Sequence, residues 1–237
     1  MKKCLIVLFL LAANIPVRAQ DSLEKKSNYI TSIGLTIGYG NMDISELHAF
    51  VPAGVNDFRD EQFLFGLDFH GFKNKLALGF SVTGILDNKI KTDSINYTST
   101  GSTVTFDMGY LFLEKQKVKS YALVGIGFGG SNIHIGQNNS IPIDSIIKNP
   151  GREINISNAS FVIDASLNLN FSPNMKYREK RNGYSGFMTG LKVGYLYGIP
   201  NSDWVYSGGD IANGPDFGMN MFYVKFFVGI LGYKDAK

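Results

Sequence analysis

The chain is poor in cysteine, in proline and in long apolar runs. Its 237 residues include 1 cysteine and 7 prolines. The lone cysteine, Cys4, excludes a fold stapled by intrachain disulfides and a zinc–thiolate cluster. Only one stretch, near the first residues, is apolar enough for a membrane helix, which excludes a bundle of membrane-spanning helices. A hydrophobic content of 44% and an aromatic content of 13% exclude a disordered chain.

The apolar stretch at the start has the pattern of a secretory signal peptide. Lys2 and Lys3 precede an apolar run at residues 5–13, and compact residues lead up to Ala19. This arrangement predicts cleavage between Ala19 and Gln20. The expected organisation is therefore a signal peptide, 1–19, followed by one domain, 20–237.

Net charge gives no sign of a nucleic-acid partner. Three of the 23 basic residues lie in residues 1–19, so the remaining chain carries 20 basic and 20 acidic residues. A formally neutral chain has no basic surplus with which to neutralise phosphates. We therefore expect no nucleic-acid binding.

Apolar and polar residues alternate with a period of two, which predicts strands. In residues 158–171, for example, Phe161 and Ile163 fall on one face and Asp164 and Ser166 on the other. Soluble strands usually have about 5 or 6 residues, whereas a tilted membrane strand needs about 9 to 11. The alternating segments have the length of membrane strands. They are 29–40, 61–72, 75–85, 103–112, 119–130, 158–171, 186–197 and 219–233.

The connections between these segments alternate in length. Long connections are expected at 41–60, 86–102, 131–157 and 198–218, and shorter ones at 73–74, 114–118 and 172–185. This order is typical of a membrane barrel with long extracellular loops and short periplasmic turns. It also places both termini in the periplasm.

The predicted fold class is all-β, a closed antiparallel up-and-down transmembrane β-barrel. Eight strands are expected, with ten as the alternative count and a soluble barrel or sandwich as the alternative architecture. Aromatic residues bracket several apolar stripes, as membrane-interface girdles require. These predicted interface residues are Tyr29, Tyr39, Phe63, Phe69, Phe161, Phe171, Phe187 and Tyr197.

The chain resembles the small outer-membrane β-barrels of the OmpA/OmpX type. Its last part, Asn213–Asp216 leading into Phe222–Tyr233, is similar to the closing hairpin of Bacteroidetes-type outer-membrane barrel domains. The resemblance implies residence in the bacterial outer membrane. It also implies contact with outer-membrane lipid, lipopolysaccharide and the barrel-assembly machinery. One departure is that Tyr233 does not end the chain, because four residues follow it.

Five ionisable residues fall near mid-strand on the polar face. An eight-stranded barrel is wide enough only for side chains or one small ligand, so buried charges there must pair. We expect an ion-pair network that plugs the lumen, centred on Asp164, Lys192 and Lys225. Its members are Asp68, Asp107, Asp164, Lys192 and Lys225. The alternative is a narrow, porin-like channel or a hydrophobic-solute transporter.

A lipid A-modifying enzyme, a deacylase or acyltransferase, is a third possibility. Ser131, His134 and Glu153 could form a triad on paper, but no nucleophile elbow is present. The glycine-rich stretch 125–130 matches a dinucleotide motif without the helix that such a site needs. We expect no catalytic residue, no metal and no cofactor.

The leading functional hypothesis is a non-enzymatic barrel with a structural, adhesive or interaction role. Function on a rigid scaffold is carried by loops. The loops concerned are 41–60, 131–157 and 198–218, and their periplasmic or extracellular protein partner is not identified by the sequence.

Overall fold

The computed structural model describes most of the chain from Tyr29 onward. The described ranges are 29–50, 58–92, 95–115, 117–137, 153–173, 175–178, 183–201, 203–206, 209–211 and 214–234. The predicted signal peptide and its cleavage site at Ala19 and Gln20 lie outside these residues.

Eight long strands and three short ones account for the fold. The long strands are β1 (Tyr29–Met42), β2 (Glu61–Lys73), β3 (Leu76–Lys91), β4 (Ile95–Glu114), β5 (Val118–Gln137), β6 (Ile154–Phe171), β8 (Gly183–Gly198) and β11 (Met221–Lys234). The short strands are β7 (Met175–Arg178), β9 (Trp204–Tyr206) and β10 (Gly209–Ile211). A short 3-10 helix covers Ser45–Phe50. In the described ranges no helix is long and apolar enough to cross a membrane.

The long strands form a closed antiparallel barrel. Each pairs with its neighbour in the sheet, and β6 pairs with β8 because the short β7 lies outside the ring. The ring closes between the first and last strands, with a register that runs from Tyr29 opposite Lys234 to Met42 opposite Met221. The predicted closed barrel of eight strands is confirmed.

The wall of the barrel has an apolar outer face and a largely polar inner face. Leu35 and Phe128 are 65% and 69% exposed on the outside, whereas Ser32 and Asp68 are each 1% exposed on the inside. Successive side chains of a strand point to opposite faces, so the period of two in the sequence becomes an inside and an outside.

The eight aromatic residues predicted to lie at a membrane interface are all exposed on the outer wall. Their exposed fractions run from 37% for Phe161 to 54% for Tyr39. Contact with a membrane interface stays a prediction for Tyr29, Tyr39, Phe63, Phe69, Phe161, Phe171, Phe187 and Tyr197.

Several of the expected loops contain strand. The prediction of a loop at 86–102 was wrong. Strands β3 and β4 continue through this range, past a register shift between Ile85 and Asn88, as far as the pair of Lys91 with Asn96. Strands β5 and β6 likewise extend into 131–157, as far as the pair of Ile135 with Ile154. In these extensions the apolar residues, such as Tyr97 and Ile133, point inward and the outer residues, such as Thr98 and Asn132, are polar, which is the reverse of the pattern on the rest of the wall.

Two other connections also carry short strands. Within 198–218, β9 and β10 form a hairpin, and β9 adds to the edge of β6. Within 172–185, β7 pairs with the first residues of β8. Loop residues therefore continue the sheet at both ends of the barrel.

Two apolar clusters lie inside the barrel. The loop-end plug lies on the side of the long loops and consists of Met42, Ile44, Leu47, Phe58, Leu64, Ile85, Ile90, Tyr97, Ile133, Ile156, Val162, Leu196, Trp204, Phe217, Met219, Met221 and Tyr223. The turn-end plug lies on the side of the short turns and consists of Ile30, Phe72, Ala77, Leu111, Tyr121, Leu123, Met188, Phe227 and Leu231. Within the described residues, the inner face is therefore apolar towards both ends of the barrel.

The turn between β2 and β3 has an unfavourable residue for its backbone. Asn74 and Lys75 have φ angles of 47° and 74°, the left-handed region that two-residue hairpins need at both positions. Asparagine tolerates this region, but lysine does so only at a cost of about 1 to 2 kcal/mol. The ammonium of Lys75 lies 5.8 Å from the ring centroid of Tyr110.

We predict that Lys75→Gly unfolds at higher urea than Lys75→Val. Both variants lose the ammonium, so the comparison isolates the backbone, and glycine avoids the about 1 to 2 kcal/mol cost of the left-handed region. The measurement is urea unfolding of the folded protein in detergent micelles. Equal unfolding midpoints would contradict the turn geometry.

Candidate functional site in the barrel lumen

The five ionisable residues of the predicted network lie in one buried layer between the two plugs. Five different strands supply them, and each is between 1% and 4% exposed. They are Asp68 on β2, Asp107 on β4, Asp164 on β6, Lys192 on β8 and Lys225 on β11. We refer to these five side chains as the charged layer.

Lys192 joins opposite walls of the barrel. Its Nζ lies 3.5 Å from Oδ2 of Asp164 on the adjacent strand and 3.8 Å from Oδ2 of Asp68 across the lumen. It also lies 3.5 Å from Oγ of Ser81, to which it can donate a hydrogen bond. One ammonium is thus shared between two carboxylates and a hydroxyl.

The carboxylates are held further by hydroxyl groups that sequence reasoning did not select. The Tyr223 hydroxyl donates to Asp164, with oxygen–oxygen distances of 2.7 and 2.8 Å. The Ser81 hydroxyl donates to Oδ2 of Asp107 at 2.7 Å. Their inward position on strands was the available signal, since a buried charge needs such partners.

Lys225 belongs to the charged layer without forming an ion pair. Its Nζ donates to Oγ1 of Thr83 at 2.7 Å and lies 4.5 Å from the centroid of the Tyr223 ring. Within the described ranges no carboxylate oxygen lies within 4.0 Å of it. The expected centre of the network therefore needs a correction: Asp164 and Lys192 are joined, whereas Lys225 is stabilised by a hydroxyl and an aromatic face.

His70 is a further buried polar residue in this region. It is 1% exposed, and its ring contacts Tyr121 of the turn-end plug edge-on, with centroids 5.5 Å apart. Both of its ring nitrogens lack a hydrogen-bond partner among the described residues, as does Oδ1 of Asp68. His70 therefore links the charged layer to the apolar plug beneath it.

Glycines on the inner face provide the space that the charged layer occupies. A Cβ at Gly125 would meet Oδ1 of Asp107, and a Cβ at Gly79 would meet the ring of His70. Any larger residue at these positions would displace the polar side chain opposite it. The inward glycines thus position the layer as much as its charged members do.

The space left within the charged layer is small. A cavity of about 10 Å³ remains, lined among others by Ser81, Asp164, Lys192, Tyr223 and Lys225. That is room for about one water molecule. At this level the described part of the lumen is filled by side chains.

The residues considered for a catalytic triad do not come together. Ser131 is buried on the inner face of β5, whereas His134 lies on the other face, with Nδ1 2.8 Å from Oδ1 of Asn155. Glu153 is exposed just before β6. Within the part of the chain that the structure describes, no group of three histidine, cysteine or acidic residues could hold a metal ion.

No family model matches this sequence, and a search of curated proteins finds no match. Its structure is similar to that of Ail, the attachment invasion locus protein of Yersinia pestis, at 13% identity and a TM-score of 0.42, over 88% of this chain and 99% of that one. It is also similar to the outer membrane protein OprG from Pseudomonas aeruginosa, at 12% identity and a TM-score of 0.41, over 90% and 98%. These similarities add no functional argument, and the barrel assignment rests on the strand pairing of this chain.

We predict that Lys192→Met lowers stability by about 3 to 5 kcal/mol, because it leaves two buried carboxylates without their cation. The measurement is the urea midpoint of the folded protein in micelles. Lys91→Met, at an exposed position of β3, is the control and should change stability by less than about 0.5 kcal/mol. If both variants unfold at the same urea concentration, the charged layer does not stabilise the barrel.

Proposed function

We propose that this protein is an integral barrel of the bacterial outer membrane, without enzymatic activity, that acts through its loop end. The observation that carries the proposal is the apolar belt on the outer wall. On β6 the belt runs from Phe161 to Phe171, with Ile163, Leu167 and Leu169 also exposed. At about 3.3 Å per residue and a tilt of about 40°, this length spans about 25 Å, the height of the apolar band of membrane barrels.

The belt has no protein cover within the described residues. A soluble sandwich would bury one face of each sheet against the other, but here the apolar face is outside and the polar face is inside. Soluble proteins rarely expose a continuous apolar surface of this extent. Closure of the barrel also pairs the strand edges, which a lipid environment requires.

The two ends of the barrel differ in their charged residues and in the length of their connections. These differences support one orientation of the barrel in the membrane. The turn end carries Lys73, Lys75, Lys115, Lys117 and Lys119 in or beside its short turns. Both termini of the barrel lie at this same end, because Tyr29 pairs with Lys234 beside the β2–β3 turn. Since short turns face the periplasm in membrane barrels, we propose that both termini are periplasmic.

The described part of the loop end continues the sheet past the apolar belt. Strands β4 and β5 have 20 residues each, more than a bilayer needs, and so continue beyond the belt. Trp204 is buried and its Nε1 donates to the carbonyl of Pro215 at 2.7 Å, which fixes the hairpin of β9 and β10. This continuation of the described strands beyond the belt supports an adhesive or interaction role through loops 41–60, 131–157 and 198–218.

The type of barrel and its molecular partners are part of the same proposal. We propose that the chain is of the OmpA/OmpX type and that its final hairpin is of the Bacteroidetes kind, as its sequence pattern suggests. Outer-membrane lipid, lipopolysaccharide and the barrel-assembly machinery would then be its partners. Ser131 and His134 lie on opposite faces of the sheet, which supports a non-enzymatic role.

We predict that Leu167→Arg impairs folding into lipid, whereas Ser157→Arg does not. Both residues are exposed on the same face of β6, but Leu167 lies in the belt and Ser157 lies beyond it. An arginine at the bilayer midplane costs about 2 to 4 kcal/mol and much less outside the apolar band. The measurement is the heat-modifiable, folded fraction on a gel after refolding into vesicles. Equal folding of the two variants, or a stable native protein without detergent, would contradict the membrane assignment.

We also predict no steady conductance from the purified protein in a planar bilayer. The charged layer and the two plugs fill the described lumen, and the residual cavity holds about one water molecule. A folding check on the same sample by heat-modifiable migration is the control. A stable single-channel current from folded protein would favour the channel alternative over the plug.

A further inference from the structure

A shallow depression lies on the outer wall where β4, β5 and β6 continue past the apolar belt. Its floor is at Gly130, and Thr100, Ser102, Asn132 and Ser157 lie around it. Strand register brings these residues together, since Thr100 pairs with Asn132 and Asn132 pairs with Ser157. The depression has a volume of about 290 Å³.

The chemistry of this surface is uniform. The side chains around the floor are hydroxyl and amide groups, and none of the residues that line the depression is charged. The next row outward continues the pattern with Thr98, His134 and Asn155, of which His134 and Asn155 are joined at 2.8 Å. Such groups both donate and accept hydrogen bonds without a net charge.

The depression begins where the apolar belt ends. The neighbouring outward residues on the belt side are Phe128 on β5 and Phe161 on β6, whose rings meet edge to face with centroids 5.8 Å apart. Because aromatic residues mark the interface level of a membrane barrel, the polar surface lies at headgroup height, on the side of the long loops.

We propose that this depression binds a neutral sugar ring of the glycolipid headgroup, lipopolysaccharide, in the outer leaflet. The inference rests on the proposed outer-membrane function and names a binding site for it. A sugar presents several hydroxyl groups, which the hydroxyl and amide groups of Thr100, Ser102, Asn132 and Ser157 can match. Continuity with the belt places the headgroup of any lipid that covers Phe128 and Phe161 against these side chains.

The described residues that line the depression include no basic side chain, which favours the sugar over a phosphate. Phosphate groups are bound in proteins by arginine and lysine. The nearest lysines described at this height of the wall lie on the neighbouring strand β3, outside the depression. They are Lys89, which pairs with Thr98, and Lys91, which pairs with Asn96. The site therefore fits an uncharged ring, with any phosphate of the headgroup outside it.

Gly130 allows the depression to be filled without disturbing the barrel. A Cβ at this position would have only the carbonyl oxygen of Asn158 within 4 Å, at 3.6 Å. Gly71, on the outer face of β2 near the short turns, is equally open, with only the carbonyl oxygen of Leu78 at 3.9 Å. The two glycines therefore form a matched pair, one at the proposed site and one far from it.

The experiment uses the full-length protein in phospholipid nanodiscs and titrates it with deacylated lipopolysaccharide from the source bacterium. This probe has the sugar headgroup without acyl chains, so the belt contributes nothing to its binding. We expect saturable binding by the native protein, at least about tenfold weaker for Gly130→Val and unchanged for Gly71→Val. Asn132→Leu, which keeps the number of side-chain heavy atoms and removes the hydrogen bonds, should weaken binding as well.

Several outcomes would overturn the proposal. No saturable binding by the native protein, or equal affinity of the Gly130→Val and Gly71→Val variants, would do so. A second titration uses the dephosphorylated probe: retained binding supports a sugar site, and lost binding shows that phosphate is the ligand. Insertion into nanodiscs is scored separately by heat-modifiable migration. Failure to insert would refute the proposed function, whereas insertion without sugar binding would refute only this inference.

Discussion

Closure of the sheet between β1 and β11 is the constraint on which the other features of this structure depend. Fourteen residues of each strand pair across this seam, from Tyr29–Lys234 to Met42–Met221. With the seam closed, each long strand has a partner on both sides, and the wall has an inside and an outside with no free edge.

Closure also makes the lumen a place where charges must be solvated by protein. Removing a carboxylate or an ammonium from water costs several kcal/mol, which must be offset by close partners. Lys192 meets this requirement with Asp68, Asp164 and Ser81, and Lys225 meets it with Thr83 and the ring of Tyr223. The charged layer is therefore a packed part of the structure between the two apolar clusters.

The long strands give the barrel two unlike ends. At the turn end the sheet stops in tight connections such as Asn74–Lys75. At the loop end, β3 to β6 continue beyond the apolar belt, and their outer face changes from Phe128 and Phe161 to Asn132 and Ser157. The polarity of the outer face thus changes along a single strand. This change supports both the proposed membrane position and a recognition surface at headgroup height.

The sequence by itself determined the architecture of this protein, because a period of two over eight long segments, with connections that alternate in length, leaves few ways to bury the apolar faces. It also determined which ionisable residues point inward, since strand alternation assigns each of Asp68, Asp107, Asp164, Lys192 and Lys225 to a face. Contacts across the lumen were decided only by the tertiary structure. Strand tilt and stagger set which inward residues meet, and no local pattern encodes them.

The same reason explains the parts that sequence reasoning missed. Tyr223 and Ser81 read as ordinary strand residues until the closed barrel brings them to Asp164 and Asp107. The extensions of β3 to β6 were hidden because their outer residues, such as Thr98 and Asn132, are polar and their inner residues, such as Tyr97 and Ile133, are apolar, so the alternation is the reverse of that in the belt. The depression at Gly130 needs three strands in register, and register is a property of the folded sheet.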